Sequence, residues 1–277
     1  MMPASDASWR GAPRLLGSAH TTNQGTPVTT RLGIDIGGSG IKAALVDTST
    51  GELVTERRRL ATPQGATPSG VAETVAELVE TFDVTGPIGC CFPAVIIQGE
   101  ARTAGNIDDS WIGTHVGATF AEAAGHDYVV LNDADAAGMA ELRLGAGQDL
   151  DGVVLMITVG TGIGGGLFHN GVLVPNLEIG WMPSDFNMPM ERWASDRARK
   201  VHGLSWSEWG DRFDYFLRKT VRVFMPDHIV LGGGVSKKFE KYADRLTVDR
   251  PIHIARFRNN AGIIGAALAA VSPAPGP

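Results

Sequence analysis

The sequence predicts an α/β protein built from two similar halves that face a common cleft. Residues 32–47 combine an apolar strand, a tight glycine turn and a second strand, and residues 153–168 repeat this pattern. Between the two copies, residues 128–144 run from a short apolar strand directly into a helix. An internal repeat at such a long separation favours a duplicated fold, with one glycine turn contributed by each half.

The first glycine turn has the composition of a phosphate-binding loop. It consists of Gly37, Gly38, Ser39 and Gly40. Glycine has no Cβ and tolerates positive φ, so a polyanion can closely approach the backbone N–H groups of such a turn. Asp35, before the turn, is a candidate for holding Mg²⁺ through water, and Lys42, after it, for neutralising phosphate charge. A β-hairpin with a flexible tip is the alternative interpretation.

The second glycine turn strengthens the interpretation of the first. It consists of Gly160, Thr161 and Gly162, and residues 157–160 align with residues 34–37 of the first copy. Because both copies combine an apolar strand with a glycine turn, we expect each half to contribute one side of a phosphate site.

Composition limits the possible functions. Of the 277 residues, 43% are hydrophobic and 19% charged, as in soluble globular proteins with one large or two medium domains. The net charge of −6 gives no indication of nucleic-acid or membrane binding, so a polyphosphate ligand would need a local basic patch. No apolar run reaches the ~20 residues of a membrane span. Cys90 and Cys91 are interpreted as small core residues in a reducing cytoplasm.

Residues 1–92 are predicted to contain a tail, a strand, a helix and a second strand in addition to the first glycine hairpin. Residues 1–30 have the composition of a disordered tail. Residues 53–60 are expected to form a third strand whose arginines face solvent, with phosphate contact as the less favoured alternative. A helix is predicted from its N-cap Ser69 to about residue 82, and residues 88–92 are predicted to form a buried strand.

The loop at residues 106–111 suits a sugar. It combines the amide of Asn106, the carboxylate of Asp109 and the ring of Trp111, which could hydrogen-bond the rim of a sugar and support its apolar face. An Asx-rich turn before a helix at residues 114–123 explains the same composition. The sequence alone does not separate these two interpretations.

Asn132 and Asp133 lie where a buried strand ends and a helix to about residue 144 begins. Ligands of open α/β sheets bind at this edge. Aspartate is also a favoured N-cap residue, but an Asn-Asp pair followed by Asp135 exceeds what a cap requires. A carboxylate in this position could accept the proton of an attacking hydroxyl during phosphoryl transfer.

A third glycine-rich segment contains Gly233 and Gly234, between a strand at residues 228–231 and a helix predicted to begin near Ser236. Backbone amides at a helix start favour an anion, and Lys237 follows closely. A linear polyphosphate could use this region or a basic cluster within residues 192–200, although solvated helix faces are the default interpretation.

Two further helices are predicted in the last part of the chain. Residues 205–224 are amphipathic and begin with a capping box formed by Ser205 and Glu208. Trp206 and Trp209 in this helix are expected to belong to the core. Residues 260–271 are small and apolar, which predicts a helix packed closely against the first half.

Together these segments resemble the ROK family of bacterial sugar kinases. The resemblance rests on DIGGSGIK at 35–42, LNDADAAGMAE at 131–141, TVGTGIGGG at 158–166 and IVLGGGVSKK at 229–238, and it extends over residues 31–271. GLSWSEWGDR at 203–212 and NNAGIIGAA at 259–267 are similar to the polyphosphate glucokinase subgroup of Gram-positive bacteria. The resemblance implies an actin-like, ribonuclease-H-like duplicated fold.

The resemblance also implies a role for each motif. Asp133 would be the general base on the 6-hydroxyl of glucose or mannose, and polyphosphate or ATP would be the phosphoryl donor. The sugar would be contacted by Asn106, Asn132 and Glu178, with Asp109 as a further candidate. The donor phosphates would be held by Gly37, Gly38, Ser39, Gly40, Lys42, Gly160, Thr161, Gly162, Gly233, Gly234 and Lys237. Asp35 would position Mg²⁺.

Two departures from the family pattern concern one region. The histidine of the family's Glu-x-Gly-His motif is replaced by Trp181, which could stack on a sugar but cannot replace a hydrogen-bond acceptor. No cysteine cluster accompanies this position, so no structural zinc is expected. Residues 181–193 also hold three of the eight Met and two of the six Trp residues, unlike their flanks.

The predicted organisation is a small domain of residues 31–132 completed by 259–272, and a large domain of residues 133–258, with the sugar between them. The favoured interpretation is a cytoplasmic kinase that binds neither nucleic acid nor membrane, either as a monomer or as a homodimer. A non-catalytic sugar-binding or regulatory protein of the same family and an actin-like ATPase are the alternatives.

Overall fold

The computed structural model describes residues 30–105 and 107–271, and its strands form two five-stranded sheets and a small hairpin. The strands are β1 (Thr30–Gly37), β2 (Gly40–Asp47), β3 (Arg58–Leu60), β4 (Ile88–Phe92), β5 (Ile96–Ile97), β6 (Glu100–Ala101), β7 (Tyr128–Asn132), β8 (Val153–Val159), β9 (Ile163–His169), β10 (Val172–Leu177), β11 (His228–Gly233) and β12 (Ile252–Ile254). The helices are α1 (Pro68–Val79), α2 (Val116–Ala124), α3 (Asp133–Leu144), α4 (Met190–Ala194), α5 (Asp196–Val201), α6 (Trp206–Phe224) and α7 (Ala261–Ala269).

The two large sheets share one topology. The first has the order β3-β2-β1-β4-β7 and the second the order β10-β9-β8-β11-β12. In each, the hairpin strands are antiparallel and the two following strands are parallel to the first strand of the hairpin. The predicted α/β duplication is therefore confirmed, because the repeat seen in the sequence is a repeat of sheet order and strand direction.

Helices α3 and α7 pack against each other between the two sheets. Glycine makes this close approach possible: a Cβ on Gly265 would collide with the carbonyl of Ala136 in α3. A Cβ on Gly33 of β1 would likewise collide with the carbonyl of Ile263 in α7. The prediction that the last helix packs on the first half is thus correct but incomplete, because α7 also covers α3, which itself packs on β8 and β9.

Several predicted boundaries differ from the structure. The strand expected at 53–60 is reduced to β3, and Leu53 forms only a single bridge with Val46. Helix α1 is capped by Thr67 rather than Ser69, because Pro68 occupies the first helical position, where its missing N–H costs nothing. The helix expected near Ser236 is a 3₁₀ segment, Gly234–Lys241. The predicted tail at residues 1–29 lies outside the described residues, whereas Thr30 begins β1.

Other local predictions are confirmed. The capping box of α6 is present, with the Ser205 Oγ accepting from the Glu208 N–H at 3.2 Å and Glu208 Oε2 accepting from the Ser205 N–H at 2.8 Å. Trp209 is fully buried in the core of the second half, and Trp206 stacks on Tyr242 beside it. Cys90 and Cys91 are buried and unpaired. Within residues 30–105 and 107–271, no helix has the length and apolar character that a membrane span requires.

Candidate active site

A cavity of about 830 Å³ lies where the two halves meet. The first half contributes Pro93, Ala94, Thr103 and Gly105, from the segment around the β5–β6 hairpin. The junction of β7 and α3 contributes Asn132 and Asp133, and the second half contributes the second glycine turn and Glu178. Polar groups thus converge from both halves on a space large enough for a sugar.

Asn132 explains why the carboxylate of Asp133 is available in this cavity. Its Oδ1 accepts the Ala134 N–H at 2.8 Å, so Asn132 is the N-cap of α3. Its Nδ2 donates to the Ala94 carbonyl at 3.1 Å, and this bond holds the side-chain amide against the segment that follows β4. The interpretation of Asp133 as a mere cap is therefore wrong, because the preceding residue performs that task.

Asp133 is a solvent-accessible carboxylate inside a protein-lined recess. The surrounding protein removes much of its hydration, and this loss, together with the negative charges of Asp35 and Glu178, raises its pKa to about 6. Hydrogen bonds from backbone N–H groups at the start of α3 oppose the shift. A carboxyl group with this pKa is a better proton acceptor than an ordinary aspartate and is still largely ionised at neutral pH.

Two more acidic groups belong to the same electrostatic cluster. Asp135 is buried, and its Oδ2 accepts the Asn176 N–H at 2.9 Å. Its pKa is raised to about 7, mainly by burial and to a smaller extent by the negative charges of Asp133 and Glu178. The hydrogen bond from Asn176 acts in the opposite direction. Burial, with a smaller effect of Glu191, also raises the pKa of Glu178. The cavity therefore presents acidic hydrogen-bond acceptors around Asp133, while Arg192 and Arg197 of the predicted basic cluster also line it.

Asp35 faces the cluster from the first sheet. Its Oδ2 forms a 2.8 Å ion pair with Lys42 on the neighbouring strand, and both side chains are partly buried. Cys91 Sγ lies 3.4 Å from Asp35 Oδ1, and burial keeps the pKa of this thiol well above its usual range, so the cysteine is neutral. Asp35 and Asp133 repel each other, and oxygen-only ligands of this kind suit Mg²⁺, which would relieve the repulsion.

The first glycine turn is held open by side chains around it. Thr62 donates its hydroxyl proton to the Gly37 carbonyl, and Arg59 Nη2 donates to the Ser39 carbonyl at 2.5 Å. A Cβ on Gly40 would lie 2.5 Å from Arg59 Nε. The favoured interpretation of these arginines is confirmed, because Arg57, Arg58 and Arg59 are all exposed. Arg59 also lies against the turn, whereas Arg58 packs over Phe82.

The second glycine turn lines the cavity directly. Gly160, Thr161 and Gly162 all contribute to its wall, and the Gly160 carbonyl accepts from the N–H groups of Asp196 and Arg197 at the start of α5. The third glycine segment packs against the strand residue that precedes the second turn. Gly233 has φ 78°, and a Cβ there would collide with the Val159 carbonyl. This position therefore requires glycine.

Some predicted residues lie apart from this cavity. Asn106 lies outside the described residues. Asp109 is exposed and does not line the cavity, and Trp111 is fully buried, with Nε1 donating to the Ala66 carbonyl at 2.9 Å. Asp108 accepts from the Ser110 N–H at 2.9 Å, so the Asx-turn interpretation of this loop describes it correctly and Trp111 is no platform for a sugar. Gly37 to Gly40 and Lys237 also lie outside the cavity lining.

Trp181 lies at the cavity wall with 62% of its surface exposed. The unusual stretch that follows has defined contacts, although most of its residues are exposed or half-buried. Phe186 stacks on Trp193 with ring centroids 4.0 Å apart, and Asp185 forms a 3.0 Å ion pair with Lys219 of α6. From the end of this stretch, Glu191 and Arg192 line the cavity together with Trp181.

Sequence reasoning missed several cavity residues. Glu191 and His202 line the cavity, and a Cβ on Gly162 would lie 2.6 Å from Glu191 Oε2. They come from α4 and from the turn after α5, and no motif marks them. Among the described residues, no group of three or more His, Cys, Asp or Glu side chains is arranged to hold a metal by itself.

Comparisons with known proteins show the family and the fold. Residues 31–187 match the ROK family. A polyphosphate glucokinase of Mycobacterium tuberculosis is 44% identical over 241 residues, which cover 87% of this chain and 91% of the relative. A crystal structure of an inorganic polyphosphate/ATP-glucomannokinase from Arthrobacter sp. strain KM is 42% identical, with a TM-score of 0.82 over 87% of this chain and 98% of that one. A ROK family glucokinase from Streptomyces griseus, in complex with glucose and AMPPNP, shows the same fold at 24% identity, with a TM-score of 0.74 over 86% and 98% of the two chains.

Proposed function

This chain belongs to the ROK family, and from that premise we propose that it transfers a phosphoryl group from inorganic polyphosphate or ATP to the 6-hydroxyl of glucose. One observation carries the proposal. A carboxylate whose pKa is raised to about 6, Asp133, shares a cavity with a glycine turn of the phosphate-binding type. The names of the polyphosphate glucokinase and glucomannokinase relatives supply the donor and the sugar.

Asp133 acts as the general base in this proposal. Its carboxylate accepts the proton of the sugar hydroxyl as that oxygen attacks the phosphorus, and the donor's bridging oxygen leaves with the remaining phosphates. Lys42 balances the charge of Asp35 in the absence of donor. Asp35 would hold Mg²⁺ through water, and the ion would neutralise charge on the transferring group.

The donor phosphates lie between the glycine turns. The second turn, at residues 160–162, lines the cavity. The first turn, at residues 37–40, lies outside that lining, and in this proposal it extends the phosphate site from the other half. Backbone N–H groups and Arg59, which lies against the first turn, stabilise the charge of the donor. Gly233, Gly234 and Lys237 adjoin the second turn and serve the same donor.

The sugar occupies the remainder of the cavity. Glu178 and Asn132 line it and contact the sugar hydroxyls. Asn106 is a further sugar contact implied by the family resemblance, whereas Asp109, outside the cavity lining, is not included. The small domain, residues 31–132 and 259–272, closes on the large domain, residues 133–258, and excludes water from the transfer. Mannose is accepted as well, because the same protein groups contact the hydroxyls that mannose shares with glucose. We place the enzyme in the cytoplasm, where its two unpaired cysteines would remain reduced.

The experiment is a matrix of donors and sugars. ATP and polyphosphate are each tested with glucose, mannose and fructose, with and without Mg²⁺, by measuring sugar 6-phosphate. The proposal expects Mg²⁺-dependent product from glucose with at least one donor, and a weaker signal from mannose than from glucose. Sugar-independent release of phosphate from ATP, without sugar phosphate, would instead support an ATPase and contradict the proposal.

A further inference from the structure

A second cavity, of about 470 Å³, lies outside the active site and shares no lining residue with it. Three cationic side chains surround it: Arg57, Lys237 and Arg258. Its remaining lining residues are Leu53, Phe257, Asn259 and Asn260. We call this site the basic cavity.

The positive charge of the basic cavity is uncompensated. None of the described residues that line it carries a carboxylate, and none of its three cations forms an ion pair with a described residue. Neutral amides orient two of them: Arg57 Nη1 donates to Asn260 Oδ1 at 3.0 Å, and Lys237 Nζ donates to Asn259 Oδ1 at 3.4 Å. In a protein of net charge −6, three such cations together form a locally positive surface, which attracts anions.

Arg258 adds backbone strain to this picture. Its φ is 52°, a left-handed conformation that arginine adopts at an energetic cost. Strain of this kind persists where the surrounding structure holds it and is concentrated at functional sites. Here it turns the chain immediately before α7 and brings Arg258 to the rim of the basic cavity.

The basic cavity adjoins the chain segments that carry the first and third glycine turns. Lys237 belongs to the 3₁₀ segment that begins at Gly234. On the other side, Asn260 directly precedes α7, and a Cβ on Gly262 of that helix would lie 3.3 Å from Asp35 Cγ. Arg57 is two residues before Arg59, which contacts the first glycine turn.

We propose that the basic cavity binds the trailing phosphates of inorganic polyphosphate, beyond those held by the glycine turns. This inference rests on the proposed function, and it extends the donor site from a triphosphate to a longer chain. Each further phosphate of the polymer carries a negative charge, which arginine and lysine can neutralise in turn. The part of ATP beyond its three phosphates is uncharged and gains nothing from three cations.

The ring of Phe257 does not offer a platform for a base. A Cβ on Gly51 would lie 3.1 Å from Phe257 Cζ, and the guanidinium of Arg256 lies over the ring, 5.5 Å from its centroid. Phe257 therefore serves packing, and the open rim of the cavity consists of charged and amide groups. This composition favours a polyanion over an adenine ring.

The test uses the double variant Arg57→Gln/Arg258→Gln, which removes two charges at exposed positions. Initial rates with glucose are measured against long-chain polyphosphate, tripolyphosphate and ATP. We expect the KM for long-chain polyphosphate to rise about tenfold. The factor of this rise should be at least five times the factor for tripolyphosphate or for ATP. The control Lys238→Gln/Lys241→Gln removes the same charge from the same side of the molecule, outside the cavity lining, and should leave all three KM values near those of the unmodified enzyme.

Three other results would overturn the inference, and each has a different meaning for the proposed function. An equal rise for all three donors would assign the basic cavity to the phosphates common to them. An unchanged KM for long-chain polyphosphate would show that the trailing chain lies elsewhere, while the proposed function stands. An unmodified enzyme that uses ATP but no polyphosphate would remove both the polyphosphate donor and this site. Rising salt should also weaken long-chain polyphosphate more than tripolyphosphate, because it screens the additional contacts.

Discussion

The side chain of Asn176 joins the two halves by pairing with the main chain of Ile96. Its Oδ1 accepts the Ile96 N–H at 2.9 Å, and its Nδ2 donates to the Ile96 carbonyl at 2.8 Å. Asn176 lies in β10 with φ 66°, and its own N–H donates to Asp135 at 2.9 Å. This pair therefore fixes the β5–β6 hairpin against the strand that leads, two residues later, to Glu178.

Removal of this pair should weaken both stability and sugar binding. In Asn176→Ala, both hydrogen bonds to Ile96 are lost and partly buried main-chain groups are left unpaired, which costs about 2–3 kcal/mol in the free energy of unfolding. We expect a lower Tm and a raised KM for glucose, measured by thermal unfolding and initial rates. Asn170→Ala is the control: Asn170 also has a positive φ, of 50°, but its Oδ1 accepts only the Gly152 N–H. Equal KM values in the two variants would show that the Asn176 pair does not position the sugar site.

The raised pKa of Asp133 predicts an acid limb in the pH profile. The base must be ionised to accept a proton, so kcat/KM should fall as the pH drops through about 6, by about tenfold per unit well below it. Asp35→Asn removes a negative charge that raises this pKa, and the limb should move to lower pH even if the maximal rate also falls. An acid limb that stays at the same pH in Asp35→Asn would contradict the assignment of this limb to Asp133.

Glu141 predicts a stability effect remote from the chemistry. It is fully buried in α3, and its carboxylate accepts three backbone N–H groups, from Ala146, Arg256 and Phe257, at 2.7 to 2.9 Å. Glu141→Gln replaces one acceptor by a donor that faces these N–H groups, and should lower the free energy of unfolding by about 2–4 kcal/mol. Urea unfolding measures this change. Glu122→Gln, at an exposed position of α2, should have little effect, and equal stability of the two variants would count against a structural role of Glu141.

Trp181 offers a test of the cavity wall. Because its side chain is 62% exposed beside Glu178, Trp181→Ala should leave Tm almost unchanged but raise the KM for glucose about fivefold, through loss of ring contact with the sugar. Trp193→Ala provides the contrast, because Trp193 is packed between Phe186 and Arg212 and its loss should lower Tm. An unchanged KM in Trp181→Ala would remove Trp181 from the sugar site.

The sequence was sufficient for the parts of the fold that depend on local patterns. The repeated strand–turn–strand units, the β7–α3 junction and the capping box of α6 were predicted correctly, and both the duplicated actin-like fold and the ROK family are confirmed. Such features follow from periodicity, glycine and capping residues that are close together in the chain.

Features that depend on distant contacts could not be predicted in this way. The composition of the loop at residues 106–111 suits a sugar, yet Trp111 is buried because the core of the first half needs a large ring beside Phe92 and Phe120. Asn176 and Ile96 are 80 residues apart, and no pattern links them. The cations of the basic cavity likewise come from three separate segments that meet only in the folded chain.

The most direct measurement of the central claim is the turnover of Asp133→Asn at saturating glucose and donor. Asparagine keeps the size of the side chain but cannot accept the hydroxyl proton as a base, so we predict that kcat falls about 10²-fold or more. The KM for glucose should change little, and Tm at pH 8 should not fall, because the folded protein disfavours the ionised carboxylate above its raised pKa. A folded Asp133→Asn variant with near-normal kcat would contradict the account.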